Sequence, residues 1–262
     1  MRVVSYNILD GGAGRAGALA EVIGAQRPDL VGVVEAEDVS VCEQIAARLK
    51  FDLLHAAGNH HASALLTRWP VRESINHAPL HKSMEKSLLE ATVVEPGGRE
   101  WVIGVVHLHA HGLPDDEDRR MGEVDVLLKV LGRHRNAGRP HLIVGDFNAN
   151  APYQRIDPRK CKPRTRREFE QTGGDLPRRV VRRMLDEGYA DSLREFDPTA
   201  AETVGSFTTE FPGQRVDYIF THGFGRNPIK AAWVEQGGRA REASDHFPVG
   251  VEIVSLDAVT LA

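Results

Sequence analysis

Short apolar runs recur along this chain, and most of them stop abruptly at a polar side chain. The runs Arg2–Tyr6, Leu30–Val34, Phe51–His55, Ser63–Thr67, Ser87–Val94, Trp101–His107, Arg215–Phe220, Ala231–Glu235 and Phe247–Val254 predict strands, as does the run from His141 into Asp146. Several are apolar at every position, the pattern of strands covered on both faces. Pro96-Gly97-Gly98 predicts a hairpin between two of them. Helical spacing predicts helices over Ala16–Gln26, Ser40–Lys50, Asp115–His134 and Leu176–Glu187. In the third, Met121, Val124, Leu127, Leu128 and Leu131 fall on one face, and Gly188 caps the fourth. Residues 149–176, rich in Pro, Gly and Arg, predict an irregular basic insertion. Strands and helices alternate along the whole length without a repeat or linker. This predicts one domain over residues 1–262, with sheets at the centre and helices outside.

Composition narrows the class. Hydrophobic residues make up 41% of the 262 and charged residues 27%, ordinary for a globular protein with a sizeable core. No apolar run is long enough to span a bilayer, and Met1-Arg2-Val3-Val4-Ser5 leads straight into a strand pattern rather than a signal segment. Cys42 and Cys161 stand far apart and form no metal or redox motif. The expectation is a cytoplasmic, reduced protein. The net charge of −4 is uneven: Arg155 to Arg183 holds eleven Lys or Arg against four Asp or Glu, a local +7 that leaves −11 elsewhere. Such a stretch could track a polyanion, or it could be a solvated insertion; it lacks aromatic residues for stacking bases.

The polar ends of the strands carry the candidate chemistry. They are Asn7, Glu35, His107, Asp146, Asn148, Asp217, Asp245 and His246. Burying one carboxylate costs several kcal/mol or more unless it is paired or metal-bound, so a set of them implies a shared pocket for a hard cation and an anionic substrate. Asp146 and Asn148 are two apart and would share a side of an extended strand, with Phe147 facing the core. A carboxylate there can take a proton from water while the amide holds that water or a phosphate oxygen. The competing local reading is an Asx turn. Asp217 could instead pair with Arg215 on its own strand. His107, His109 and His111 would share one face if extended, a hint of zinc, and His60-His61 is a weaker one.

The stretches Ser5-Tyr6-Asn7, Val34-Glu35, Ser63-Ala64-Leu65-Leu66-Thr67-Arg68-Trp69-Pro70, Val106-His107-Leu108, Gly145-Asp146-Phe147-Asn148, Arg215-Val216-Asp217-Tyr218-Ile219 and Ser244-Asp245-His246-Phe247-Pro248 together resemble the endonuclease/exonuclease/phosphatase (DNase I-like) superfamily. They occur in that family's order and run from residue 5 to residue 248. The resemblance implies a four-layer α/β sandwich, two central mixed sheets flanked by helices. It implies a phosphodiester hydrolase using Mg²⁺ or Mn²⁺ and in-line attack by water. Glu35 matches the main metal ligand, with Asn7 and Asp245 beside it, and Asp146 and Asn148 match the pair that activates the water. His246 matches the phosphate-binding histidine and Asp217 the acid that orients it, while His107 matches a second histidine on the leaving-group side. Asn7, Asn148, His107 and His246 would contact phosphate.

The sequence departs from that pattern in places. Leu9 stands where some relatives have an aspartate, and Ser63 replaces a usual glycine. Glu85 and Glu90 are the candidates for the acid behind His107. A phosphate ester is the implied partner, with DNA or RNA foremost as an endonuclease substrate; the alternative is a small molecule or lipid headgroup. A non-catalytic binding role is disfavoured because Asp146, Asn148 and His246 are all present.

Overall fold

The computed structural model describes residues 1–225 and 227–254. The apolar runs assemble into two six-stranded sheets. The first has the order β11 (Ile229–Val234), β12 (Val249–Ile253), β1 (Arg2–Asn7), β2 (Leu30–Val34), β4 (Ser63–Thr67), β3 (Asp52–Ala56). The second has β5 (Val71–Asn76), β6 (Ser87–Val94), β7 (Glu100–His107), β8 (His141–Asp146), β10 (Asp217–His222), β9 (Ala190–Asp191). Both sheets are mixed. β1 runs parallel to β2 and antiparallel to β12, and β8 runs parallel to β7 and antiparallel to β10.

Alternation along each strand sorts side chains into layers. Val3, Leu30 and Leu65 of the first sheet pack with Val105, Leu142 and Val144 of the second in the central core. Val4, Tyr6, Val31 and Val33 face the other way, onto α1 (Ala16–Ala25) and α2 (Val39–Leu49). Ile143, Phe147 and Phe220 face α3 (Pro114–Asn136) and α5 (Arg179–Asp186). The result is the helix–sheet–sheet–helix sandwich the resemblance implies. It explains the unbroken apolar runs, since both faces of each sheet are covered.

Gly32 marks the closest approach of the sheets: a Cβ there would lie 2.3 Å from Val144 Cγ2. Gly32→Ala should cost about 1–3 kcal/mol, because the methyl must push the sheets apart. Urea denaturation measures it, and an unchanged midpoint would contradict this close packing.

One sequence expectation fails and several elements were not foreseen, each for an identifiable reason. The insertion at 149–176 is not irregular: it contains a single 3₁₀ turn and α4 (Pro163–Gln171). This helix buries only Thr165 and Glu168, so it shows no apolar stripe, and it is supported by Pro163 at its start and an Arg164–Glu168 pair at 3.0 Å. Strand β5 is an edge strand with exposed polar residues in its middle, which erased its alternation. The helices α6 (Ser192–Phe196), α7 (Pro198–Thr203) and α8 (Ala240–Ala243) are too short to show a period. Among the described residues no helix is long and apolar enough to cross a membrane.

Candidate active site

Register brings the polar strand ends to one edge of the sandwich. In the second sheet His107 and Asp217 flank Asp146 as its direct neighbours on either side. In the first sheet Asn7 ends β1 opposite Val34, so Glu35 follows next to it, and Asp245 and His246 immediately precede β12. The two rows face each other across a cavity of about 170 Å³. Glu35, His107, Asp146, Asn148, Asp245 and His246 all line it.

Asp146 Oδ2 is the hub. Asn7 Nδ2 donates to it at 3.2 Å, and the Nε2 atoms of His107 and His246 lie 3.4 and 3.8 Å away. Burial, reinforced by Asp217, raises the Asp146 carboxyl above its ordinary range. His246 Nδ1 lies 2.9 Å from Asp217 Oδ2, an oxygen that also accepts from Ser206 Oγ at 2.6 Å. Burial alone would lower the His246 pKa, but Asp217 and then Asp146 outweigh it and raise it to about 10, so the ring is an imidazolium at neutral pH. Phe207 packs against that ring at 4.5 Å between centroids, tilted by 36°. Arg215 does not pair with Asp217; its guanidinium, 1% exposed, lies 2.6 Å from Asp191 Oδ2.

Asn148 is not on extended backbone. Its φ is 47°, and its N–H donates to Asp146 Oδ1 at 2.8 Å. The strand therefore ends in an Asx turn, and that turn, not strand alternation, aims the amide into the cavity. The amide is steadied by a 3.0 Å bond to the Leu108 carbonyl. Phe147 is fully buried against Tyr218 and Phe220, anchoring the turn from behind.

His107, His109 and His111 do not converge. His109 is held between Glu85 at 2.6 Å and Asp116 at 3.0 Å, while His111 has left-handed backbone. Glu90 is likewise engaged, by His77 at 2.9 Å and His134 at 2.7 Å. Neither Glu85 nor Glu90 supports His107. Its neighbour is Lys86, whose Nζ lies 2.6 Å from His107 Nε2. Burial, with Lys86 next, keeps the His107 imidazole neutral.

The cavity also has the chemistry a divalent cation needs. Glu35 accepts from Asn7 Nδ2 and the Asp10 N–H, each at 2.9 Å, and these bonds outweigh burial to hold its carboxyl below the usual range. Asp245 goes the other way: burial raises it, His246 opposes that and Glu35 reinforces it, and its buried Oδ1 has no partner. Two neighbouring carboxylates, one with an orphaned oxygen, fit a hard cation with oxygen ligands. Asn7 serves differently, because its Oδ1 accepts from the Leu9 N–H at 3.0 Å while its amide nitrogen bridges Glu35 and Asp146. One ring nitrogen each of His61 and His107 also lies within 4.8 Å of a Glu35 oxygen.

The sequence matches the endonuclease/exonuclease/phosphatase family over residues 4–246. The chain belongs to that family. As an endonuclease/exonuclease/phosphatase family member it is an enzyme acting on phosphate esters, from a superfamily that depends on divalent metals. Its fold is similar to that of an AP endonuclease from Archaeoglobus fulgidus, with a TM-score of 0.72, 16% identity, and 97% of this chain and 99% of the other covered. It is also similar to a 3′ phosphatase from Neisseria bound to a product DNA hairpin (TM-score 0.70, 18% identity, 97% and 100% covered). A mannosyl-6-phosphatase from Bacteroides thetaiotaomicron is a third such structure (TM-score 0.67, 17% identity, 97% and 100% covered). No curated protein matches the sequence.

Several cavity residues of this family member escaped the sequence reading. Lys86 sits alone before an apolar strand, like any surface lysine, and Phe207 and Lys162 fall in loops. Ser206, which bonds Asp217, lies beside Phe207 and gives no signal either.

Proposed function

We propose that this protein is a divalent-metal-dependent phosphoesterase in which Asp146 takes the proton from a water attacking phosphorus in line. The observation that carries the reading is the cavity in which Asp146 and His246, the latter backed by Asp217, face Glu35 and Asp245. Asn148 holds the water or a phosphoryl oxygen. The His246 imidazolium, oriented by Asp217, donates to the phosphate. His107 and Asn7 hold their neighbours in place around Asp146. Glu35 and Asp245 would hold a Mg²⁺ or Mn²⁺ ion, which would supply charge neutralisation at the phosphoryl oxygens.

The substrate phosphate sits on a small molecule or at a chain end. The insertion supports this reading, because Lys162, Arg164, Thr165 and Glu168 form one wall of the cavity and narrow it. Much of the basic stretch is also engaged by acids of this chain: Arg159 pairs with Asp157, Arg164 with Glu168 and Arg178 with Asp175 inside it, and Arg155 with Glu202, Arg179 with Asp118 and Arg183 with Glu187 outside it. A nuclease is the second reading, favoured by Arg166 and Arg167, which are exposed on α4, the helix that lines the cavity through Arg164, Thr165 and Glu168.

Supercoiled plasmid, intact and partly depurinated, tests the two readings beside p-nitrophenyl phosphate and its methyl diester, each with Mn²⁺ and with chelator. Turnover of the small esters that chelation abolishes, without nicking, is expected. Nicking that weakens steeply as salt rises would establish the nuclease. Turnover unaffected by chelation would overturn the metal-dependent mechanism.

A further inference from the structure

Lys86 is a buried cation that the mechanism above does not use. It precedes β6, is 7% exposed, and lines the cavity. Its ammonium has three hydrogens, yet its single hydrogen bond among the described residues is the 2.6 Å contact to His107 Nε2. It forms no ion pair there. An unpaired buried charge costs several kcal/mol, and few side chains are buried that way without a ligand to meet.

The proton bookkeeping around this contact is restrictive. Two nitrogens at 2.6 Å share one hydrogen. His107 is neutral, so an ammonium at Lys86 donates to Nε2 and the imidazole proton resides on Nδ1, an atom with no partner. His107 is thereby fixed as an acceptor that holds the lysine head, and it cannot itself supply positive charge to a substrate. The remaining two ammonium hydrogens have no acceptor among the described residues. Burial lowers the Lys86 pKa, while Asp146 and then Glu35 pull it back up, so an arriving anion and the acids already present both favour the charged form.

We propose that Lys86, held by His107, is a ligand for an oxygen of the substrate phosphate, and that it biases the site towards the doubly charged phosphate of a monoester. The idea rests on the phosphoesterase reading and narrows its substrate class. A phosphomonoester near neutral pH carries about one more negative charge than a diester, and a point charge in a water-poor cavity rewards that difference. His107 is a positioning residue in this arrangement.

The test compares wild type with Lys86→Met and Lys86→Arg on p-nitrophenyl phosphate and methyl p-nitrophenyl phosphate, which share a leaving group and differ in charge. Lys86→Met should lose about a hundredfold in kcat/KM on the monoester, the size of one removed charge-stabilising donor. It should lose at least about tenfold less on the diester, and Lys86→Arg should recover part of the monoester loss. Equal losses on both esters, or none, would overturn the proposal, since a merely structural lysine moves both alike. Melting with inorganic phosphate gives a readout that needs no turnover: phosphate should stabilise wild type and not Lys86→Met. If wild type hydrolyses neither ester, the phosphoesterase reading fails. The phosphate melts then judge Lys86 alone, and equal stabilisation of both proteins would overturn its role as well.

Discussion

Asp146→Asn is expected to lower kcat by about a thousandfold or more while the protein stays folded and, without metal, melts at a higher temperature than wild type. The loss follows from the loss of the proton acceptor, a role worth about 10²–10⁴-fold. Its position at the meeting point of Asn7, His107 and His246 leaves no second carboxylate able to take over, because Asp217 is committed to His246 and Ser206. The gain in stability follows from the raised carboxyl. A folded-state pKa above the unfolded value means the native protein binds the proton more tightly than the unfolded chain does. Native stability is therefore lost as pH rises from the unfolded pKa through the folded one, and above that window wild type bears the full cost. The asparagine protein escapes it. The difference in melting temperature should accordingly be larger at pH 8 than at pH 4, and wild-type activity should fall as acid protonates Asp146. Undiminished turnover of the variant in single-turnover assays would remove Asp146 from the mechanism.

Arg215→Ala should destabilise the fold by about 3–5 kcal/mol, the usual consequence of leaving one member of a buried ion pair alone. Asp191 is 2% exposed and would be left with the Leu193 N–H and the Tyr153 hydroxyl as its partners among the described residues. The guanidinium also covers the Tyr218 ring at 4.3 Å, so packing is lost with the charge. For a chain of this size the melting temperature should drop by roughly 6–20 °C. Replacing both partners, Arg215→Met with Asp191→Leu, should cost much less than the sum of the single changes, because no charge is stranded. A near-normal melt for Arg215→Ala would mean that the pair contributes little.

The sequence made the architecture and most of the candidate site legible because most of the candidate residues end or flank strands buried on both faces. Glu35 after Leu30–Val34 and Asp146 after His141–Val144 are conspicuous for that reason. Residues whose meaning depends on a distant partner were not legible. Arg215 looks paired with Asp217 along the strand, yet its partner is 24 positions away on β9. Glu90 looks available to His107, but the β6–β7 pairing turns it towards His77 and His134. Asn148 does line the cavity, but a left-handed turn rather than an extended strand aims it. Lys86 gave no signal, because burial is what makes it unusual and one lysine before an apolar run does not announce burial.

The sheet order also sets when the enzyme can first work. β1 is the first strand of the chain, yet one of its two edges is filled by β12, the last described strand. The carboxylate and imidazole that complete the cavity, Asp245 and His246, lie just ahead of that closing strand. During synthesis a chain can gather Glu35, His107 and Asp146 well before it owns Asp245 and His246, and the edge of β1 that β12 fills stays open until that strand is made. The proposed hydrolysis thus waits for the strand that fills this edge of β1.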